Sequence, residues 1–168
     1  GNTCWGHITS KRPIGCDNNP LVGISNEADW QPVPTKNRKR VVVVGCGIAG
    51  HEAAWIAAKR GHEVTLFGSG QSYGGKAELL SRLPGMEQIS SIYDYQIVQG
   101  QRSGVRYEFG VTASLEDIVG LEPDAVVLAT GATQTWPGQL PLEWHEDGFV
   151  SDLRQTSETL LQGFPPQP

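Results

Sequence analysis

The chain lacks any apolar run approaching the roughly 20 residues that a helix needs to cross a bilayer, and no secretory leader is visible. It lacks a basic excess. Thirteen Lys and Arg stand against 18 Asp and Glu, a formal net charge of −5, which argues against the basic patch of a nucleic-acid binder. The one basic run, Lys36-Asn-Arg-Lys-Arg40, leads into an apolar stretch and reads as a solvated approach to it. Cysteine is scarce: three residues, Cys4, Cys16 and Cys46, do not make a secreted disulfide framework. There is no internal repeat, and the 21 Gly and 11 Pro punctuate elements without forming a low-complexity tract. His7, His62 and His145 have no Ser, Cys or Asp arranged about them as a triad requires, and His51 reads as a surface or packing residue. These absences lead us to expect a cytoplasmic protein with neither a membrane nor a nucleic acid as partner. At 168 residues the chain has the length of one domain with a real core.

What is present is concentrated in Val41-Val-Val-Val-Gly45-Cys-Gly47-Ile-Ala-Gly50. Four β-branched residues in a row read as a strand buried on both faces. The strand runs into G-x-G-x-x-G, and the residues after it read as a helix. That context turns a weak motif into a strong one. Gly45 serves the tight turn, Gly47 the close approach of a pyrophosphate, and Gly50 the packing of helix on strand, with Ile48 and Ala49 opening the helix whose N-terminus faces the phosphates. A second apolar strand, Asp124-Ala-Val-Val-Leu-Ala129-Thr130-Gly131, ends in Ala-Thr-Gly; paired with the first motif it resembles flavoprotein disulfide-reductase-like domains, which implies that this turn packs near the bound dinucleotide.

The expected fold is α/β: a Rossmann-like parallel sheet, half of a doubly wound FAD/NAD(P)-binding domain, with an irregular N-terminal arm. The arm occupies residues 1–38, the dinucleotide-binding domain 39–135, and an irregular C-terminal extension 136–168. Strands are expected at 40–45, 63–67, 104–110 and 125–129, and helices at 48–59 and 89–101. A short helix follows Ser114, with Asp117 at the capping-box position, and another is read near 153–161. Gly61 ends the first helix of the domain. Residues 1–35 show neither helical nor strand period. A binding domain of this kind ordinarily needs more chain, so the C-terminal half of the domain is expected as a missing partner.

Several phrases carry a family resemblance. Asn2-Thr-Cys4-Trp followed by Cys16-Asp-Asn-Asn-Pro20 resembles the tail of the iron–sulfur motif in multidomain flavin oxidoreductases such as 2,4-dienoyl-CoA reductase, trimethylamine dehydrogenase and histamine dehydrogenase. FGSGQSYGGK, SGVRYEFGV, ATGATQTWPGQLP and HEDGFVSDLR resemble most the branch that demethylates N-methylproline or dimethylglycine. The resemblance implies a larger parent with an N-terminal FMN barrel, a [4Fe–4S] cluster and a dinucleotide region. It assigns Cys4 and Cys16 to the last two cluster ligands, with Gly1 standing where the second belongs. A cubane takes four thiolates, so this chain alone is expected to hold none. A zinc site of Cys4, His7 and Cys16 is a weaker alternative, because its spacing is not a zinc pattern.

Two departures matter at the nucleotide site. The strand after the glycine loop usually ends in Asp or Glu, which holds the ribose hydroxyls. Here Phe67 is followed by Gly68, and Glu63 lies at the wrong end. Backbone groups, Ser69 or a water are left to substitute. Gly74-Gly75-Lys76 resembles the family's second glycine turn, with Tyr73 replacing an aliphatic residue. Lys76 is either an exposed lysine or a phosphate contact. FAD, ADP and NAD(P)H all stay open as the ligand, and so does a non-catalytic module holding a structural ADP. No residue reads as an acid, base or nucleophile. Oligomerisation stays open, since tryptophans borne on loops invite self-association.

Overall fold

The computed structural model describes residues 3–19 and 21–132. The N-terminal arm carries α1 (Thr3–Thr9) and one turn of 3-10 helix at Glu27–Trp30, where no regular structure was expected. Local hydrogen bonds explain α1. Thr9 Oγ1 donates back to the Trp5 carbonyl at 3.0 Å, and His7 Nδ1 donates to the Pro13 carbonyl at 2.7 Å, folding the following loop onto the helix. α1 buries no residue, so no hydrophobic period marks it.

The body follows the expected alternation: β1 (Arg40–Val44), α2 (Ile48–Lys59), β2 (Glu63–Gly68), α3 (Lys76–Ser81), α4 (Ser90–Arg102), β3 (Arg106–Phe109), α5 (Leu115–Val119) and β4 (Ala125–Leu128). The strands form one sheet in the order β3-β2-β1-β4. Every pairing is parallel, with Val42 opposite Thr65 on one side and Val126 on the other. β1 is therefore interior, and Val41, Val42 and Val43 are 8%, 2% and 0% exposed, as their unbroken apolar run demands. α2 lays Ala54 and Ala58 on the sheet, in a core with Val41, Val43, Cys46, Val64, Leu66 and Val105. Each fully buried aliphatic side chain there contributes about 1.5–3 kcal/mol.

α3 follows directly on the glycine turn at Gly74-Gly75, in a stretch where no element was expected. β3 is shorter than 104–110, because Gly104 and Gly110 both have positive φ and turn the chain at its ends. β4, read as a fully apolar strand, pairs with β1 alone among the described residues and leaves Leu128 74% exposed. The capping box at Ser114 is present: Ser114 Oγ accepts from the Asp117 N–H, and the Asp117 carboxylate accepts from the Ser114 N–H at 2.8 Å. The helix read near 153–161, Trp136, Trp144 and His145 lie outside the described residues.

Candidate dinucleotide site

The chain leaves β2 to one side of β1 and later returns to β4 on the other. In sheets wound this way, ligands bind in the crevice at the C-terminal ends of the two strands where the order reverses. That crevice is built by three turns. The first begins at Gly45, with φ of +115° and its N–H donating to the Phe67 carbonyl at 2.8 Å. A Cβ on Gly45 would lie 2.1 Å from the Ala129 carbonyl oxygen, and one on Gly50 would lie 1.8 Å from the Gly45 oxygen. Both glycines are thus required by backbone contact alone. Gly47 differs: a Cβ there meets nothing within 4 Å. It is the N-cap of α2 and supplies no side-chain cap. The first N–H groups of a helix have no intrahelical partner and carry the positive end of its dipole. Gly47 thus leaves open space beside these donors, with Ile48 and Ala49 opening the helix.

The second turn packs directly on the first. The Gly74 N–H donates to the Cys46 carbonyl at 3.0 Å, and Gly47 pairs with Gly74 as an isolated parallel bridge. A Cβ on Gly75 would lie 3.0 Å from Gly47 Cα, and its φ of +56° is unfavourable for other residues. The third turn follows β4, where the Ala129 N–H donates to Val44, Thr130 is exposed, and Gly131 turns with φ of +76° into open space. Lys76, at the start of α3, donates its ammonium to the Ala132 carbonyl and ties the second turn to the third. Lys76 therefore holds the rim together from an exposed position. The second glycine turn read from Gly74-Gly75-Lys76 is thus brought against the first, whereas sequence reasoning missed Ala132, which acts only through its carbonyl.

Phe67 reaches the crevice through its backbone. Its side chain lies with Thr65, Arg106, Glu108, Asp117 and Leu121 around a separate small cleft. Gly68 is the last residue of β2, buried and opposite Phe109, and not a free position beyond the strand. His51 sits on the first turns of α2 but is 1% exposed, its ring 5.7 Å from those of Tyr73 and Tyr107. Burial pushes its pKa down to about 4. It is a packing residue. Glu52 is likewise committed, accepting from Trp55 Nε1 at 2.7 Å and from the Gln96 amide at 2.9 Å.

In the arm, Cys4 and Cys16 are both exposed. Their immediate neighbours meet, since the Thr3 hydroxyl donates to the Asp17 carboxylate. His7 spends Nδ1 on Pro13, and among the described residues no three His, Cys, Asp or Glu side chains converge on a metal position. The alternative zinc set of Cys4, His7 and Cys16 is therefore not assembled.

Residues 39–164 match the family model described as pyridine nucleotide-disulphide oxidoreductase. The chain is 40% identical over 135 residues to an NADH oxidase of Thermoanaerobacter brockii, covering 79% of this chain and 20% of that one. It is 43% identical over 110 residues to the N,N-dimethylglycine/sarcosine dehydrogenase of Chromohalobacter salexigens, covering 66% of this chain and 16% of that one. Its fold matches a solved 2-naphthoyl-CoA reductase with a TM-score of 0.73 at 31% identity, over 84% of this chain and 21% of that one. The chain thus spans about a fifth of the length of these relatives. No helix among the described residues is long and apolar enough to cross a membrane. The family model covers the whole glycine-loop crevice and its relatives are oxidoreductases, so the chain belongs to the pyridine nucleotide-disulphide oxidoreductase family.

Proposed function

We propose that the crevice between β1 and β4 binds the pyrophosphate of an adenine nucleotide, either FAD or ADP, with NAD(P)H as an alternative occupant. Gly45, Gly47, Ile48, Ala49 and Gly50 would hold the phosphates, with Gly75, Lys76, Ala129, Thr130 and Gly131 as walls and Phe67 and Gly68 at the ribose end. The observation that carries this reading is the empty volume at Gly47, in front of a helix N-terminus without a side-chain cap and ringed by two further turns. A flavin, when bound, supplies the redox chemistry, and the protein's part is placement. The commitment of Glu52 and His51 to packing supports that division.

Gly47→Val tests the reading. Gly47 has an ordinary negative φ of −79°, and a Cβ there meets nothing, so the fold should survive. Calorimetric titration of the intact protein with ADP and with FAD should show affinity falling at least tenfold in the variant, with an unchanged far-ultraviolet circular dichroism spectrum. Equal affinity would end the assignment.

The matched segments make up only 20% and 16% of these relatives, and the remaining features are proposed on that basis. The parent would carry an FMN barrel and a [4Fe–4S] cluster, with Cys4 and Cys16 as two of its thiolates; the Thr3–Asp17 hydrogen bond between their neighbours supports the pairing. It would act in the cytoplasm on an amine, an N-methyl amino acid or an enoate. A structural ADP is a second reading, favoured by the absence of a carboxylate at Gly68. Visible absorbance of the intact protein separates the two, since ADP contributes none.

A further inference from the structure

We propose that Cys46 and Gly68 form a matched steric pair that removes the carboxylate from the ribose end of the dinucleotide site. The inference rests on the dinucleotide reading above and concerns which adenosine nucleotides the site accepts. Gly68 stands at the end of β2, where Asp or Glu ordinarily grips the ribose hydroxyls and repels a 2′-phosphate. Its φ lies outside the left-handed region, so the demand for glycine there is one of space. A Cβ on residue 68 would come within 2.5 Å of Cys46 Sγ, 2.8 Å of Cys46 Cβ and 3.2 Å of Phe109 Cδ1.

The sulfur could swing aside by rotation about one bond. The Cys46 Cβ cannot, because it is fixed by a backbone whose carbonyl accepts from the Gly74 N–H at 3.0 Å. Cys46 is itself buried in the core, its Sγ 3.5 Å from the Ser72 carbonyl oxygen. A side chain at position 46 therefore occupies the space that any side chain at position 68 would need. Cys46 thereby excludes the carboxylate, and a bound adenosine ribose is met without a negative charge. The site accepts a free 2′-hydroxyl and a 2′-phosphate with similar affinity.

Two double-mutant cycles in the intact protein test this. In the first, Gly68→Ala is made alone and with Cys46→Gly, and thermal unfolding is measured. Gly68→Ala alone should lower Tm by several degrees, and the same change in the Cys46→Gly background should cost less than half as much. Additive shifts would overturn the steric pair. In the second, Gly68→Glu is made in the Cys46→Gly background, and ADP and 2′-phospho-ADP, which share the 5′-pyrophosphate and differ only at the 2′ position, are titrated calorimetrically. ADP should bind five- to twentyfold more tightly than to Cys46→Gly alone, and 2′-phospho-ADP more weakly by a similar factor. A folded double variant with unchanged affinities would overturn the ribose assignment. A wild-type protein that separates the two ligands more than tenfold would overturn the lack of discrimination. Binding of neither ligand to the wild type would instead count against the dinucleotide reading, while the unfolding cycle would still decide the steric pair.

Discussion

His51 carries the clearest consequence at the scale of single residues. Its ring is enclosed by Tyr73 and Tyr107, and neither ring nitrogen has a hydrogen-bond partner among the described residues. The enclosure holds the pKa near 4 instead of 6.5. A depressed histidine is neutral in the folded protein and protonated in the unfolded chain between these values, so stability rises with pH across that window. Acidification through it should remove on the order of 3 kcal/mol. Replacing both nitrogens with carbon in His51→Phe should leave stability at pH 7 equal or higher, since an unsatisfied buried polar group is removed. Urea unfolding of both proteins from pH 4 to 7 should show the variant losing less stability on the acid side. Parallel profiles would refute the origin assigned to the acid limb.

At the scale of elements, the contact between α4 and β3 is set by a missing methyl group. Alanine in place of an interior helical glycine ordinarily stabilises by about 1 kcal/mol. Gly100 is the exception, because a Cβ there would lie 2.0 Å from the Tyr107 hydroxyl oxygen and 3.2 Å from Cζ. That hydroxyl has no hydrogen-bond partner among the described residues, and burial, with Tyr73 adding to it, pushes its pKa up to about 12. Gly100→Ala should therefore lower Tm by several degrees, Tyr107→Phe alone should leave it unchanged or higher, and the double variant should recover most of the loss. A rise in Tm for Gly100→Ala alone would show that the helix moves away freely. The same contact explains a limit of pattern reading. The period of α4 is plain in its sequence, whereas the reason for glycine at position 100 exists only once β3 is laid beside it.

At the scale of the whole molecule, the arm is joined to the body through polar contacts. The Asn18 amide donates to the Ser91 hydroxyl at the start of α4, and the Thr35 N–H donates to the Arg60 carbonyl at 2.8 Å. Cys4 and Cys16 supply two exposed thiols, and Cys46 is committed to the glycine loop. A cubane cluster takes four thiolates. This chain, reconstituted anaerobically with iron and sulfide, should therefore develop no full-strength brown chromophore, as read by absorbance and iron content. Stoichiometric formation of a cluster would show that the arm recruits ligands outside its two motif cysteines.

The alternation of strands and helices, the parallel sheet and the glycine loop are all legible in the amino-acid order alone. Each is written in local terms: four consecutive valines, a 3.6-residue period, and glycines at fixed offsets from a strand end. The Ser114 capping box was equally legible, because both partners lie within one turn. α1 was not, since it buries nothing and rests on contacts with its own loop. Folding is what presses Gly74 and Gly75 against Gly47, closes the rim through Lys76 and Ala132, and puts Cys46 in the space a Cβ on Gly68 would need. Those are encounters between residues more than 20 positions apart, and whether a side chain fits there depends on where folding brings the opposing backbone.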